Sequence, residues 1–293
     1  MKSASTPFAA FFLILLSVSF ESSIRCHAAE TKPPVSISIN ADSPWPDSPG
    51  YHLLKGNAKV EGKECPIAFG LFLPAVYFTN DKPFPLVVTL HNAGVGGADG
   101  NNLTGEGLGM LMVNDIGSDR RHSGAMPPNP VNIRKKANFI GLAPQCAKDM
   151  GFERAPMNQV VIELINVVGK RYRVDGDRVG LTGFSYGGSC TWAIGMEFPE
   201  RFAAIMPLDA RAAPTPEKSA ERLKNVGVWI GAGENDGDFT NASRQMYDLL
   251  KKGNHPNVQL TLIKGGEHHC YQAMYGDPKF WDWFYAQSRK KTK

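Results

Sequence analysis

Residues 178–188 read R-V-G-L-T-G-F-S-Y-G-G, and within them Gly183, Ser185 and Gly187 form the pattern G-x-S-x-G. A β-branched and apolar run precedes the serine, and residues 188–197 have the composition of a helix. A serine on a tight strand-to-helix turn projects its hydroxyl clear of the backbone, and a Cβ at either glycine would collide with a neighbouring strand or helix. The pattern predicts that Ser185 is a nucleophile; a glycine-rich turn with a solvated serine is the alternative.

Short apolar runs flanked by glycine and proline recur along the chain and alternate with helical patterns. The predicted buried strands span residues 85–90, 139–144, 202–208, 226–231 and 259–263, and the predicted helices span 107–114, 157–171, 242–252 and 278–287. Residues 51–74 alternate as antiparallel edge strands do. Strands that alternate with helices predict a mostly parallel central sheet with helices on both faces, and the serine pattern makes this the α/β-hydrolase fold.

The N-terminal region predicts export. Residues 7–20 form an apolar run that is short for a membrane span of ~20 residues. Small residues before a cleavage point after Ala28 predict a signal peptide at 1–28, with a short membrane anchor as the alternative. We expect an extended segment at 29–50, a single catalytic domain at 51–293, and a secreted or periplasmic protein that has no membrane contact after cleavage.

Charge and cysteine content narrow the set of partners. The net charge of +4 is scattered, and the basic run at 289–293 is typical of a solvated end, so we expect no nucleic-acid partner. Export would permit disulfides among Cys65, Cys146, Cys190 and Cys270, whose connectivity the sequence leaves open. Their spacing does not fit a zinc site, and no nucleotide or metalloprotease motif occurs, so we predict no metal and no cofactor. The sequence does not predict the oligomeric state.

A serine nucleophile of this fold needs an acid and then a histidine later in the chain, each on a loop that follows a strand. The loop after the strand at 226–231 carries Glu234, Asp236 and Asp238. We predict Asp236 as the triad acid and keep the other two as alternatives. Any of them could instead be a solvated loop carboxylate or a helix N-cap.

The general base is expected after the last strand, where His268 and His269 are adjacent. We predict His268, with His269 packing or facing solvent. His268 would take the serine proton, and the acid would hold the imidazole in one tautomer. His91 is an alternative base, but its place before the predicted oxyanion turn favours a structural role.

The oxyanion hole is predicted from two backbone amides. One is the N–H of Tyr186, directly after the nucleophile, and the other is the N–H of Ala93, in the loop after the strand at 85–90. Asn92 is expected to have a positive φ, since it precedes this donor, and to contribute to substrate binding. Trp192 could line an acyl pocket; core packing is the alternative.

Several stretches together resemble a known family. P-L-V-V-T-L-H-N-A-G at 85–94, A-P-Q-C at 143–146, the block from 175 to 204, and G-E-H-H-C-Y at 266–271 are similar to motifs of secreted esterases related to polyhydroxybutyrate depolymerases, feruloyl esterases and "predicted peptidase" hydrolases. The family usually has glycine where this chain has Asn92. The resemblance implies a serine hydrolase that cleaves a small, polysaccharide-linked or polymeric ester; a serine peptidase and a catalytically silent binding protein are the alternatives.

Overall fold

A mixed sheet forms the centre of the molecule in the computed structural model, which describes residues 35–147 and 150–289. The strands in this part of the chain are β1 (Val35–Ile39), β2 (Gly50–Val60), β3 (Lys63–Leu73), β4 (Phe84–Leu90), β5 (Ile140–Pro144), β6 (Val174–Phe184), β7 (Ala204–Leu208), β8 (Gly227–Gly233) and β9 (Val258–Ile263). Their spatial order is β1-β2-β3-β5-β4-β6-β7-β8-β9.

The strand directions divide the sheet into two parts. β1, β2, β3 and β5 pair antiparallel in that order, while β5, β4, β6, β7, β8 and β9 pair parallel. Parallel strands need crossover connections, and helices supply them. The α-helices are α1 (Gly107–Val113), α2 (Ile133–Lys136), α3 (Met157–Arg171), α4 (Tyr186–Glu197), α5 (Ser219–Arg222), α6 (Asp238–Lys252), α7 (Tyr271–Gly276) and α8 (Pro278–Tyr285).

The core lies on both faces of the sheet. Every residue of β4 is buried, and the strand alternates between the faces: Leu86 and Val88 belong to one apolar cluster, and Val87 to the other. This alternation follows from the two-residue period of a strand. The apolar side chains of α3, α4 and α6 fill the first cluster, and those of α1, α7 and α8 fill the second. A parallel sheet covered on both faces is therefore confirmed.

The boundaries of the elements agree closely with the predicted ones. The predicted helix at 157–171 is confirmed at both ends, and the five buried strands are present with small shifts. Helix α6 begins at Asp238 rather than at 242. The loop of residues 234–237, which we call the acid loop, leads directly into this helix. The predicted last helix ends at Tyr285 rather than at 287.

The N-terminal part of the fold differs in one respect from the prediction. The segment expected to be an extended entry contains β1, which pairs with β2 from Val35 opposite Val60 to Ile39 opposite Gly56. The described residues form one compact unit, and β1 is part of it. The predicted signal peptide lies outside the described residues. Among those residues, no helix combines the length and apolar character that crossing a membrane requires.

Helix α4 and strand β6 meet so closely that glycine is required between them. A Cβ on Gly183 would lie 2.4 Å from backbone atoms of Gly187, and one on Gly187 would lie 2.1 Å from the carbonyl oxygen of Leu90. Neither neighbour is a flexible side-chain end that could move aside. The glycines of the pattern therefore set the distance between α4, β6 and β4.

Two glycine-to-alanine changes in helices should have opposite effects. Gly187→Ala forces a methyl group against the backbone of β4 and should destabilise the protein by roughly 1–3 kcal/mol. Gly169→Ala is the control, because a Cβ on Gly169 in α3 meets nothing within 4 Å. There alanine should stabilise by roughly 0.5–1 kcal/mol. Thermal unfolding followed by circular dichroism measures both, and equal Tm values for the two variants would contradict the constraint.

Candidate active site

Ser185 sits on the turn between β6 and α4 in a strained backbone conformation. Its φ is 60° and its ψ is −117°, outside the regions that non-glycine residues normally occupy. Such a conformation costs on the order of 1–3 kcal/mol and persists only where the surroundings enforce it. Here the Ser185 amide donates a 2.9 Å hydrogen bond to the carbonyl oxygen of Leu208 at the end of β7. The turn thus lifts the hydroxyl above the carboxyl ends of the strands.

Three side chains from three loops form a continuous hydrogen-bonded chain. Nε2 of His268 lies 2.8 Å from Oγ of Ser185, and Nδ1 lies 2.8 Å from Oδ2 of Asp236. The imidazole packs between two rings, with its centroid 5.1 Å from that of Phe184 and 4.5 Å from that of Phe239. The Asp236 side chain is only 9% exposed. Because a carboxylate accepts from Nδ1–H, Nε2 is left to accept the serine proton.

The acid loop directs the carboxylate of Asp236 toward the histidine, whereas the other two candidate acids are exposed to solvent. The Asp236 amide donates to Oγ1 of Thr240 at 3.0 Å, and that hydroxyl donates to the Gly233 carbonyl oxygen at 2.6 Å. Glu234 and Asp238, the alternative acids, are both exposed. The structure therefore brings Asp236, and neither alternative, to the histidine.

The two adjacent histidines point in different directions. His268 contacts Ser185, whereas Nε2 of His269 lies 3.8 Å from Oε1 of Glu106. The ring planes of the two histidines are 89° apart. Within the described residues, only the arrangement of His268 connects the serine to an acid.

The two predicted oxyanion donors border the same open cleft. Ala93 and Tyr186 line a cavity of about 520 Å³ together with Met150, Glu153 and Arg154. Among the backbone hydrogen bonds in the described ranges, none uses the amide of Ala93 or of Tyr186. The Tyr186 hydroxyl donates to Oε2 of Glu153 at 2.7 Å, which fixes one wall of the cleft.

His91 is fully occupied by backbone groups. Its Nδ1 lies 2.8 Å from the Asn92 carbonyl oxygen, and its Nε2 accepts the Cys146 amide at 2.9 Å. The ring also packs 4.8 Å from the ring of Phe152. Burial lowers the pKa of His91, which favours the neutral imidazole that can accept at Nε2. This geometry is that of a structural residue, because the ring connects the loop after β4 to Cys146, just beyond the end of β5.

The expected backbone conformation of Asn92 is wrong. Asn92 does not have a positive φ; the left-handed residue of this turn is Gly94, at φ +86°. The left-handed residue of the turn therefore lies two residues after Asn92. The side-chain amide nitrogen of Asn92 donates to Oε2 of Glu106, and the residue still lines the cleft.

Glu106 belongs to a charged network that the sequence analysis missed. Arg121 pairs with both Glu106 and Asp119, and the Tyr271 hydroxyl donates to Asp119. Burial would raise the pKa of Asp119, but the bonds from Arg121 and Tyr271 outweigh it and hold that pKa at about 2. These acids lie in the connection between β4 and β5, outside α1 and α2, where neither periodicity nor a motif marks them. The network joins Asn92 to the loop that carries the two histidines.

The expectation that Trp192 binds substrate is wrong. Its side chain is 1% exposed and belongs to the apolar cluster beneath α4. Trp192 lies two helical turns beyond Ser185, roughly 10 Å along the axis, so it packs on the sheet and not at the turn. Core packing is its role.

A buried carboxyl group lies beneath the acid loop. Asp209 directly follows β7, is 0% exposed, and has a φ of 43°. Its Oδ1 accepts the Gly233 amide at 2.8 Å, and Sγ of Cys270 donates to it at 3.3–3.5 Å. An acid directly after a buried strand is a signal visible in the sequence, although the prediction places the triad acid only after the next strand.

The remaining chemistry-bearing residues are dispersed. Cys65, Cys146, Cys190 and Cys270 are all free thiols. No group of three or more His, Cys, Asp or Glu side chains within 35–147 and 150–289 is placed to hold a metal ion.

Comparisons with known proteins agree with this fold. Residues 143–277 match the model of the dienelactone hydrolase family. No curated protein sequence matches the chain. The matched segment runs from the end of β5 to the end of α7 and includes the serine turn, the acid loop and the histidine loop.

Solved structures with the same fold include several esterases. A thermostable esterase is 24% identical with a TM-score of 0.59, over 80% of this chain and 63% of its own, so the chain spans less than two thirds of that protein. A serine-to-alanine mutant of the feruloyl esterase module from Clostridium thermocellum, complexed with sinapinate, is 15% identical with a TM-score of 0.59, over 90% of this chain and 99% of its own. FphF, a fluorophosphonate-binding serine hydrolase of Staphylococcus aureus, is 15% identical with a TM-score of 0.57, over 81% of this chain and 99% of its own. The match over residues 143–277 and the shared architecture therefore show that the chain has the α/β-hydrolase fold.

Proposed function

We propose that the protein is an exported serine esterase in which Ser185, His268 and Asp236 form a catalytic triad. The observation that carries the proposal is the unbroken hydrogen-bonded chain, with 2.8 Å at both of its contacts. A serine hydroxyl is a weak nucleophile at neutral pH and needs an adjacent base, which in turn needs an orienting group. The three side chains come into contact where the loops after β6, β8 and β9 meet, which supports the proposal.

The reaction proceeds through an acyl-enzyme in this proposal. His268 Nε2 accepts the proton of Ser185 as Oγ attacks the ester carbonyl carbon, and Asp236 stabilises the imidazolium that forms. The imidazolium then returns the proton to the leaving alkoxide as the carbon–oxygen bond breaks. Water attacks the acyl-serine by the same steps in reverse, with His268 again as the base, and releases the acid.

The negative charge of the tetrahedral intermediate needs donors that are already in place. We assign this role to the amides of Ala93 and Tyr186, because both residues line the cleft and Tyr186 directly follows Ser185. Losing one such donor typically costs about 3 kcal/mol of transition-state stabilisation. Asn92 supports the arrangement through its bond to Glu106, which ties the oxyanion loop to a partly buried carboxylate.

The cleft indicates the size of the substrate. Its volume of about 520 Å³ accommodates a small or medium acyl group or one unit of a larger ester, and its outer wall carries Met150 and Arg154. Structural neighbours include a feruloyl esterase module complexed with sinapinate, so hydroxycinnamate esters belong in any substrate screen. Acetyl, feruloyl and hydroxybutyrate esters, with peptide amides as the comparison, would distinguish esterase from peptidase activity.

Sequencing the N-terminus of the mature protein tests export, with cleavage expected after Ala28.

Labelling with a fluorophosphonate probe separates an active hydrolase from a catalytically silent binding protein. Wild type should be labelled, and Ser185→Ala should lose both labelling and hydrolysis of p-nitrophenyl acetate while its circular dichroism spectrum is unchanged. Ser243→Ala is the matched control, because that buried serine on α6 makes no hydrogen bond through its hydroxyl. An unlabelled wild-type protein, or an active Ser185→Ala variant, would overturn the proposal.

Paired variants test the base and the acid. His268→Ala should lower turnover by on the order of 10⁴ or more, since triad members act as a unit. Asp236→Asn should also lower turnover by about 10⁴, because the imidazole is then held in the wrong tautomer. His269→Ala and Asp238→Asn are the controls and should keep most of the activity. If either control were the inactive member of its pair, the two roles would have to be exchanged.

Replacement of Asn92 tests which part of that residue the site uses. Because its backbone is not left-handed, Asn92→Val and Asn92→Gly should be impaired alike, since both lose the bond to Glu106. We expect a drop of about tenfold in kcat/KM, equivalent to about 1.4 kcal/mol, mostly in kcat. Steady-state kinetics on one small ester measures it. An Asn92→Gly variant with wild-type kinetics beside a crippled Asn92→Val variant would restore the backbone explanation.

A further inference from the structure

Beneath the triad lies a second carboxyl group that the proposed chemistry does not use. Asp209 is fully buried, and its carboxyl contacts that of Asp236 within hydrogen-bonding range. Its backbone amide donates to the Gly231 carbonyl oxygen at 2.8 Å, which extends the pairing of β7 with β8 by one residue. The left-handed φ of 43° then turns the side chain under the acid loop. Aspartate tolerates this conformation better than most residues do.

Two carboxylates in contact inside a protein cannot both be ionised at modest cost. Asp236 accepts from the imidazole and is the one that chemistry needs as an anion. Burial raises the pKa of Asp209 well above its usual range, and the charge of Asp236 raises it further. Asp209 is therefore the neutral partner, and a neutral carboxyl group has one O–H to donate.

The contacts of Asp209 leave one oxygen for that proton. Oδ1 accepts the Gly233 amide at 2.8 Å, so Oδ2 is the oxygen that can carry a proton and donate it. The thiol of Cys270 faces both oxygens, and burial raises the pKa of that thiol, so it adds no charge. Within the described residues, the carboxyl group of Asp236 is the acceptor in hydrogen-bonding range of Asp209.

We propose that Asp209 is a positioning residue which, as a neutral acid, donates a hydrogen bond to Asp236 and so fixes the carboxylate that orients His268. This inference rests on the proposed triad. Asp209 touches neither the nucleophile nor the cleft, so it acts through another residue. It lies at the end of β7 and contacts two further loops, the acid loop through Gly233 and the histidine loop through Cys270.

Among the described residues, few titratable groups face the pair formed by Asp209 and Asp236, so a change in the pH profile can be attributed to this pair. Asp236 comes from the loop after β8, and Cys270 and His268 come from the loop after β9. Tyr275 on α7 also faces Asp209, and burial raises the pKa of that phenol, so it remains neutral. Removing the donor from Asp236 would leave more negative charge on the carboxylate that contacts the imidazole of His268.

Two substitutions distinguish a hydrogen bond donated by Asp209 to Asp236 from a role of Asp209 in packing alone. Asp209→Asn keeps the shape, with an amide oxygen for the Gly233 amide and an NH₂ group for Asp236. We expect its kcat/KM within about threefold of wild type and an unchanged acid limb of the pH profile. Asp209→Ala removes the donor, so kcat should fall by about tenfold or more, and the acid limb should move to higher pH. Thermal unfolding of each variant shows whether it is folded at the assay temperature.

Defined outcomes overturn the inference. Asn and Ala variants that are equally impaired, with the same pH profile, would show that Asp209 acts as an anion or only fills space. An Asp236→Asn variant that stays active while Asp209→Asn is dead would make Asp209 the triad acid. Infrared spectroscopy detects the proton on Asp209 without an activity assay. At pH 7 we expect the carbonyl band of a protonated carboxylic acid in wild type and its absence in Asp209→Asn. Absence of that band in the folded wild type refutes the inference even if the triad is active, whereas an inactive triad beside an intact band refutes only the proposed function.

Discussion

The close approach of helix α4 to strands β6 and β4 is the constraint on which the site depends. Gly187 lies so near the Leu90 carbonyl oxygen that no side chain fits between them, and Gly183 is equally close to the start of the helix. The chain can make this contact only by passing through the strained conformation of Ser185. The Leu208 carbonyl oxygen holds the serine amide there, so the packing of the sheet stabilises the strain.

The same packing explains how a few loops assemble a charged site on an apolar scaffold. Each loop leaves the carboxyl end of a parallel strand, and neighbouring strands bring these ends together. The Ser185 turn, the acid loop with Asp236 and the loop with His268 follow β6, β8 and β9, and Asp209 follows β7 between them. The order of the strands thus places the residues in contact, although they lie far apart in the chain.

The sequence predicts the parts of this arrangement that depend on local patterns. Helix α3 and the buried strands follow from periodicity and β-branched runs, and Ser185, Asp236 and His268 follow from their places after strands. Local patterns do not reveal contacts across loops. Glu106 and Asn92 are 14 residues apart in the connection between β4 and β5, and no local pattern indicates that their side chains are in contact. The sequence therefore predicts a backbone feature at Asn92 where the structure shows a side-chain hydrogen bond. Trp192 was misplaced because proximity in sequence to Ser185 does not fix the face of a helix that a side chain occupies.

The short strand β1 has a consequence for the behaviour of the protein at high concentration. β2 is eleven residues long, and β1 covers the half of it from Gly56 to Val60. An uncovered strand of that length presents a row of free amides and carbonyls to any other chain with a similar edge. Among the described residues, β1, whose alternate residues are exposed, covers five of the eleven residues of that edge. This pairing shortens the part of β2 that is left uncovered, which lowers the tendency of the protein to associate through that edge.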